Sequence, residues 1–264
     1  MEQRQPAHTA ARPGLAVPPH AVVELYPRAA ILAAWFNAWR AGAVDGLIDC
    51  PVVRPDDPFN GSDVDVPGWQ TARLPLGAAL SMLPGEAKAA VVLPVPGDPA
   101  GLPTPVVPRA ADAGQAVLIP LAGGTVAITP TMAAEGRTVW HAGFVPTTVG
   151  PVGDIRSERL AIMELLTFAV SVVESATLPS ADGRATSRRV AGLATVPMPP
   201  GSAGAAVELA RSSATLITIV SDALASVATR DRDAKLVGAL APLGRAGRRG
   251  LAVAFSNAGG EARS

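Results

Sequence analysis

The spacing of apolar residues changes along the chain near residue 154. Over 88–145 the apolar runs are short and β-branched or alternating, whereas after residue 154 they recur at three- and four-residue steps. Alternation is typical of strands and three-to-four spacing of amphipathic helices. The pattern predicts an α+β protein in which an antiparallel sheet over 88–145 packs against an N-terminal helix and three long C-terminal helices.

The N-terminal helix is predicted from Leu25 to Gly42. Its apolar face carries Ile31, Leu32, Trp35 and Trp39. Two tryptophans four residues apart could form a ligand shelf, but we favour core packing because the first helix is amphipathic.

The segment 51–70 contains four prolines and four aspartates and predicts a long loop. Its oxygen-bearing side chains resemble those of a calcium-binding loop. The loop lacks the ligand spacing and terminal glutamate of an EF-hand, so we expect no metal there. A short helix over 74–83 follows.

Four strands are predicted over 88–95, 115–121, 125–130 and 138–144. Gly123-Gly124 indicates a hairpin between two of them, and Pro96–Pro99 forms a tight turn after the first. The linkers look too short for helical crossovers, and this favours antiparallel pairing.

Three helices are predicted at the end of the chain, over 155–177, 204–229 and 231–257, with breaks at Pro179–Gly183 and Pro197–Gly201. We therefore expect a Pro-rich tail over 1–24 and a sheet domain over 25–150. The helical region over 151–264 is either a second domain or part of the first.

Charge and cysteine content narrow the functional class. Residues 1–150 carry 9 basic and 12 acidic side chains and residues 151–264 carry 13 and 10, so no bulk charge attracts nucleic acid or a membrane. Cys50 stands alone, which excludes an intrachain disulfide and fits a reducing compartment. The N-terminus lacks a signal peptide and the most apolar stretch is too short to span a bilayer, so we predict a cytoplasmic protein without membrane insertion.

The segment from Val91 through Pro103, with its Leu-Pro-x-Pro-Gly-Asp-Pro-x-Gly-Leu-Pro turn, together with Ala110–Leu118 and Trp140, resembles an uncharacterised family of actinobacterial proteins. The resemblance is densest over 88–145. It implies no activity, and no catalytic residue is carried over from it.

Several chemistries have no signature in the sequence. No Gly-Lys-Ser/Thr loop, dinucleotide-binding glycine pattern, zinc-ligand spacing or Gly-x-Ser-x-Gly elbow is present. Cys50 fits an apolar filler better than a nucleophile, since only three histidines are available as a base. We predict no cofactor, no metal and no catalytic residue, and the balance leans away from an enzyme.

Two functional hypotheses remain. The first is an interaction or scaffold protein that packs the broad apolar face of 204–229 against a protein partner or a second copy. The alternative is a small-molecule site, binding or catalytic, near the Asp98 turn; its candidate ligand-binding residues are Asp98, Arg73, Arg109, Trp140 and His141. Adjacent Trp140 and His141 should point to opposite faces of a strand. The arginine clusters at 184–189 and 245–249 lack interleaved aromatics, and this disfavours a nucleic-acid partner.

Overall fold

The computed structural model describes residues 25–61, 69, 74–102, 104–133, 137–147, 153–174, 183–228 and 234–259. The predicted tail over 1–24 lies outside these residues. The helices are α1 (Arg28–Arg40), α2 (Leu76–Ser81), α3 (Val107–Ala113), α4 (Ile155–Glu174), α5 (Gly183–Gly192), α6 (Gly204–Ala228) and α7 (Ala234–Ser256). The strands are β1 (Phe59–Asn60), β2 (Ala90–Val92), β3 (Ala116–Leu121), β4 (Gly124–Met132) and β5 (Thr138–Val145).

Helix α1 is buried on nearly every side rather than along one stripe. Every residue from Ala29 to Ala38 is buried, and its alanines leave room for elements on several faces. Trp35 is buried and its indole N–H donates to the Pro197 carbonyl, whereas Trp39 is partly buried and lies edge-on to Phe36. The two tryptophans thus have different surroundings.

The sheet is mixed, and the prediction of a purely antiparallel sheet is wrong at one edge. The strand order is β1-β5-β4-β3-β2, and the four predicted strands pair antiparallel. Strand β1 adds to β5 in parallel, with Phe59 opposite Trp140, and the Trp140 N–H donates to the Pro58 carbonyl at 2.9 Å. The Pro- and Asp-rich segment was predicted to be only a loop, yet two of its residues extend the sheet.

The linker between β2 and β3 contains a helix that the sequence did not predict. A 3-10 turn at Thr104–Val106 leads into α3. Ala110 of α3 packs with Leu118 and Ala127 on one face of the sheet. The β2–β3 pair is nevertheless antiparallel. The predicted direction is therefore confirmed, but the argument for it was wrong, because this linker is long enough to contain a helix.

The end of the chain has four described helices instead of the predicted three. The three long ones, α4, α6 and α7, match the prediction, and the ten-residue α5 lies between α4 and α6. Asp154 caps α4, accepting hydrogen bonds from the amides of Arg156 and Ser157 at 2.9 and 3.0 Å. The bonds from Ser157 are the main cause that holds the pKa of Asp154 below its ordinary value.

Helix α7 joins the helical half of the chain to the sheet. Phe36 of α1, Val91 of β2 and Phe255 of α7 belong to one cluster of buried apolar side chains. On the side facing α6, Gly247 and Gly250 lie against Ser213 and Ile217; a Cβ added at Gly250 would come within 2.5 Å of the Ser213 hydroxyl. The division into domains 25–150 and 151–264 stays a prediction. Among the described helices, none has the length and apolarity that a membrane span requires.

Candidate functional site

The position of α7 beside β2 is fixed by two polar side chains. Asn37 of α1 accepts from the Ala89 N–H at 2.7 Å and donates to the carbonyls of Ala89 and Ser256 at 2.8 and 2.9 Å. The Ser256 hydroxyl accepts from the Val91 N–H at 2.9 Å. Asn37 is 4% exposed, so these bonds form away from water and hold α1, β2 and α7 in one arrangement.

The turn after β2 presents Asp98 to α7. The backbones of Val95 and Asp98 exchange hydrogen bonds of 2.9 and 3.0 Å, and Gly97 takes a φ of +83° that favours glycine. One Asp98 oxygen accepts from the Ala100 amide at 3.2 Å. The other accepts from the Arg248 guanidinium at 3.0 Å, so Asp98 does more than stabilise its own turn.

A cleft of about 460 Å³ lies between the edge of β2, the middle of α7 and the start of α4. We call it the Asp98 cleft. Its charged lining residues are Asp98, Glu158, Arg245, Arg248 and Arg249, and its apolar ones include Leu93, Leu118 and Val253. Glu158 approaches Arg249 at 3.5 Å.

The cleft has more positive than negative groups. Arg245, Arg248 and Arg249 stand at i, i+3 and i+4 on α7 and therefore project from one side of the helix. Asp98 pairs with Arg248 and Glu158 with Arg249, whereas Arg245 is exposed and has no ion-pair partner among the described residues. One guanidinium is thus left to meet an anion from outside.

The structure divides the candidate residues of the sequence among different places. Arg109 and His141 line a second cleft of about 530 Å³ together with Asp112 and Thr129, and Asp98 is not among its lining residues. Trp140 is 0% exposed in the core, while its neighbour His141 is partly exposed on the opposite face, as alternation along a strand requires. Arg73 lies outside the described residues.

Sequence reasoning missed the partners of Asp98. The cluster 245–249 was recognised as basic, but nothing local connects Arg248 to an aspartate 150 residues earlier. Glu158 has no distinctive signal in the sequence, because one acidic residue in the first turn of a helix is common. The signal that could have found Arg248 is the spacing of three arginines on one face of a predicted helix.

The described lining of the Asp98 cleft contains no thiol, hydroxyl or imidazole side chain. Cys50 lies elsewhere, and burial raises the pKa of its thiol to about 12, so it is almost entirely protonated at neutral pH. Among the described residues, no three His, Cys, Asp or Glu side chains are grouped as metal ligands. Forked guanidinium donors beside an apolar wall are suited to holding a carboxylate or phosphate.

The fold and this cleft define an α+β protein with an arginine-lined cleft at the edge of a mixed sheet. Residues 29–152 match the family model of the Rv1486c-like protein, N-terminal domain. The match supports the resemblance to an actinobacterial-type family, and the matched span includes the Asp98 turn but not α7. No curated protein and no solved structure matches the chain.

Proposed function

We propose that the protein binds a small anionic ligand, a carboxylate or a phosphate, in the Asp98 cleft. The observation that carries the proposal is the unequal charge of the lining: three arginines face two carboxylates. A pocket with an apolar wall and a few convergent polar groups is the usual form of a ligand site. We propose that this binding takes place in the cytoplasm, because a lone cysteine fits a reducing compartment.

Arg248 and Arg245 have different roles in this proposal. The Arg248 side chain is 21% exposed, and its bond to Asp98 holds it in one orientation before the ligand arrives. Arg245 pairs with no carboxylate in the described part of the chain and therefore supplies the first contact with the anion. A guanidinium can bind both oxygens of a carboxylate at once, which makes the contact specific in direction as well as charge.

Replacing Arg245 with glutamine tests this role. We expect at least tenfold weaker binding of inorganic phosphate and acetate, because about 1.4 kcal/mol corresponds to a factor of ten and a charge-assisted hydrogen bond contributes about that much. NMR titration of the arginine side-chain N–H signals measures the binding. Arg159→Gln removes another exposed positive charge, from α4 outside the cleft, and should leave binding unchanged; equal binding by Arg245→Gln and wild type would overturn the proposal.

The second candidate function is an interaction through the helical surface. Leu216 and Val220 of α6 are buried within the chain and Leu224 is partly buried, so the face that suggested a partner is mostly covered. Apolar side chains remain exposed on α4, where Leu160 and Met163 are 58% and 62% exposed one turn apart. We propose that α4 supplies the contact with a second copy of the chain, and that nucleic acid is not a partner.

This second proposal predicts a dimer that depends on α4. Light scattering of the wild type should show twice the chain mass, and the double variant Leu160→Ser with Met163→Ser should be a monomer, because it removes the apolar area that the dimer would cover. Ile48→Ser removes a side chain that is 83% exposed in the loop after α1, and it should leave the dimer intact. A wild-type protein that stays monomeric at millimolar concentration excludes the α4 contact.

A further inference from the structure

The outer edge of β2 is closed only in part. In an antiparallel pair, every second residue directs its N–H and C=O away from its partner strand. Because the Val91 amide bonds Ser256, the outward residues of this edge are Ala89, Val91 and Leu93. Asn37 forms hydrogen bonds with both the N–H and the C=O of Ala89, and the Ser256 hydroxyl accepts from the Val91 N–H.

The next two groups on this edge are the Val91 carbonyl and the Leu93 amide. Neither Asn37 nor Ser256 bonds them, and Val91 to Leu93 line the Asp98 cleft. Pro94 follows and has no N–H, and the Val95 amide is used by the turn. The cleft therefore offers one backbone acceptor and one backbone donor on either side of Val92.

An extended peptide can pair with these two groups across Val92. In parallel pairing, one residue of the peptide donates its N–H to the Val91 carbonyl and accepts from the Leu93 amide. In antiparallel pairing, the two residues that flank the one opposite Val92 would use the same two groups. The charge beside the Asp98 turn decides between the two directions, because three arginines outnumber two carboxylates there and favour the end of the peptide that carries a negative charge.

Only a peptide that runs parallel to β2 brings its C-terminal end to the arginines. Ser256 contacts Val91 and Arg248 contacts Asp98, so α7 runs beside this segment in the opposite direction. A parallel peptide moving from Val91 past Leu93 heads for the Asp98 turn and presents its C-terminal end to Arg245 and Arg248. A terminal carboxylate is the anion that a chain end carries.

We propose that the ligand of the Asp98 cleft is the C-terminal end of an extended peptide, whose backbone pairs with the Val91 carbonyl and the Leu93 amide and whose carboxylate binds Arg245. This inference rests on the proposed function and adds the ligand class. Ala252 and Val253 of α7 line the same cleft and supply apolar contacts for the peptide side chains.

The test uses the full chain and a pool of N-acetylated tripeptides prepared as free acids, as C-terminal amides and as acids with methylated backbone nitrogens. In ¹⁵N–¹H spectra the free acids should shift the Leu93 amide signal and bind at least tenfold more tightly than acetate. The amides and the N-methylated acids should each bind at least tenfold more weakly than the free acids. Arg245→Gln should reduce binding of the free acids to the level of the amides.

The outcomes separate the two proposals. If acetate and phosphate bind but the free acids bind no more tightly and leave the Leu93 signal unmoved, the peptide inference is wrong and the anion site stands. If amides bind as well as acids, the carboxylate contact is wrong. If acetate, phosphate and the acids all fail to bind, the proposed function itself is wrong.

Discussion

Replacing Asn37 with alanine should lower the free energy of unfolding by about 3 kcal/mol or more, the largest effect that we expect from a single polar substitution. The variant leaves three buried backbone groups without their partner, the N–H and C=O of Ala89 and the C=O of Ser256. An unsatisfied buried group costs about 1–3 kcal/mol. Chemical denaturation of both proteins measures the difference.

Asn257 supplies the matched control. Its side chain also donates to two backbone carbonyls, those of Gly153 and Val253, but the residue is partly exposed, so water can replace it. Asn257→Ala should cost less than about 1 kcal/mol. Equal losses for the two alanine variants would show that burial of the Asn37 network contributes nothing.

Gly124→Ala should destabilise the protein by about 2–3 kcal/mol, the typical upper range for forcing atoms into a packed interior. A Cβ at Gly124 would lie 2.3 Å from the backbone oxygen of Val145 and 2.5 Å from the Phe144 ring. The backbone of β5 cannot move without breaking the β4–β5 ladder. Thermal and urea unfolding both measure this cost.

Gly143→Ala on the adjacent strand is the control for this prediction. A Cβ there meets only Val106 Cγ1 at 3.5 Å, which is ordinary van der Waals contact. This variant should match or exceed the wild type in stability, since glycine weakens a strand interior. If both glycines tolerate alanine equally, the close approach of β4 and β5 is not required.

The same glycine shows which parts of the fold the sequence could predict. Gly123-Gly124 indicated a hairpin because turn residues act locally, and the hairpin is present between β3 and β4. The close contact of Gly124 with Val145 depends on strand pairing and has no local signal. The helix α1 and the four longer strands could be predicted because their patterns of apolar residues are local. The two-residue β1 could not, since it depends on pairing with Trp140.

In the candidate site, too, local features could be predicted from the sequence and contacts between distant residues could not. Asp98 could be predicted because a Gly-Asp-Pro turn after a buried strand has a recognisable composition. Its pairing with Arg248 required the packing of α7 against β2, which Asn37 and Ser256 determine from opposite ends of the chain. Arg109 and His141 were grouped with Asp98 by chemistry alone, and they face a cleft of their own.

The bonds of Asn37 also have a consequence for the order of folding. They join residues 52 and 219 positions apart, and the second partner, Ser256, lies at the end of α7. During synthesis the Val91 N–H on the edge of β2 therefore has no Ser256 partner until residue 256 has left the ribosome. An open strand edge pairs readily with other chains, and contacts between distant residues form slowly. The nascent chain thus remains exposed to aggregation through this edge until α7 arrives.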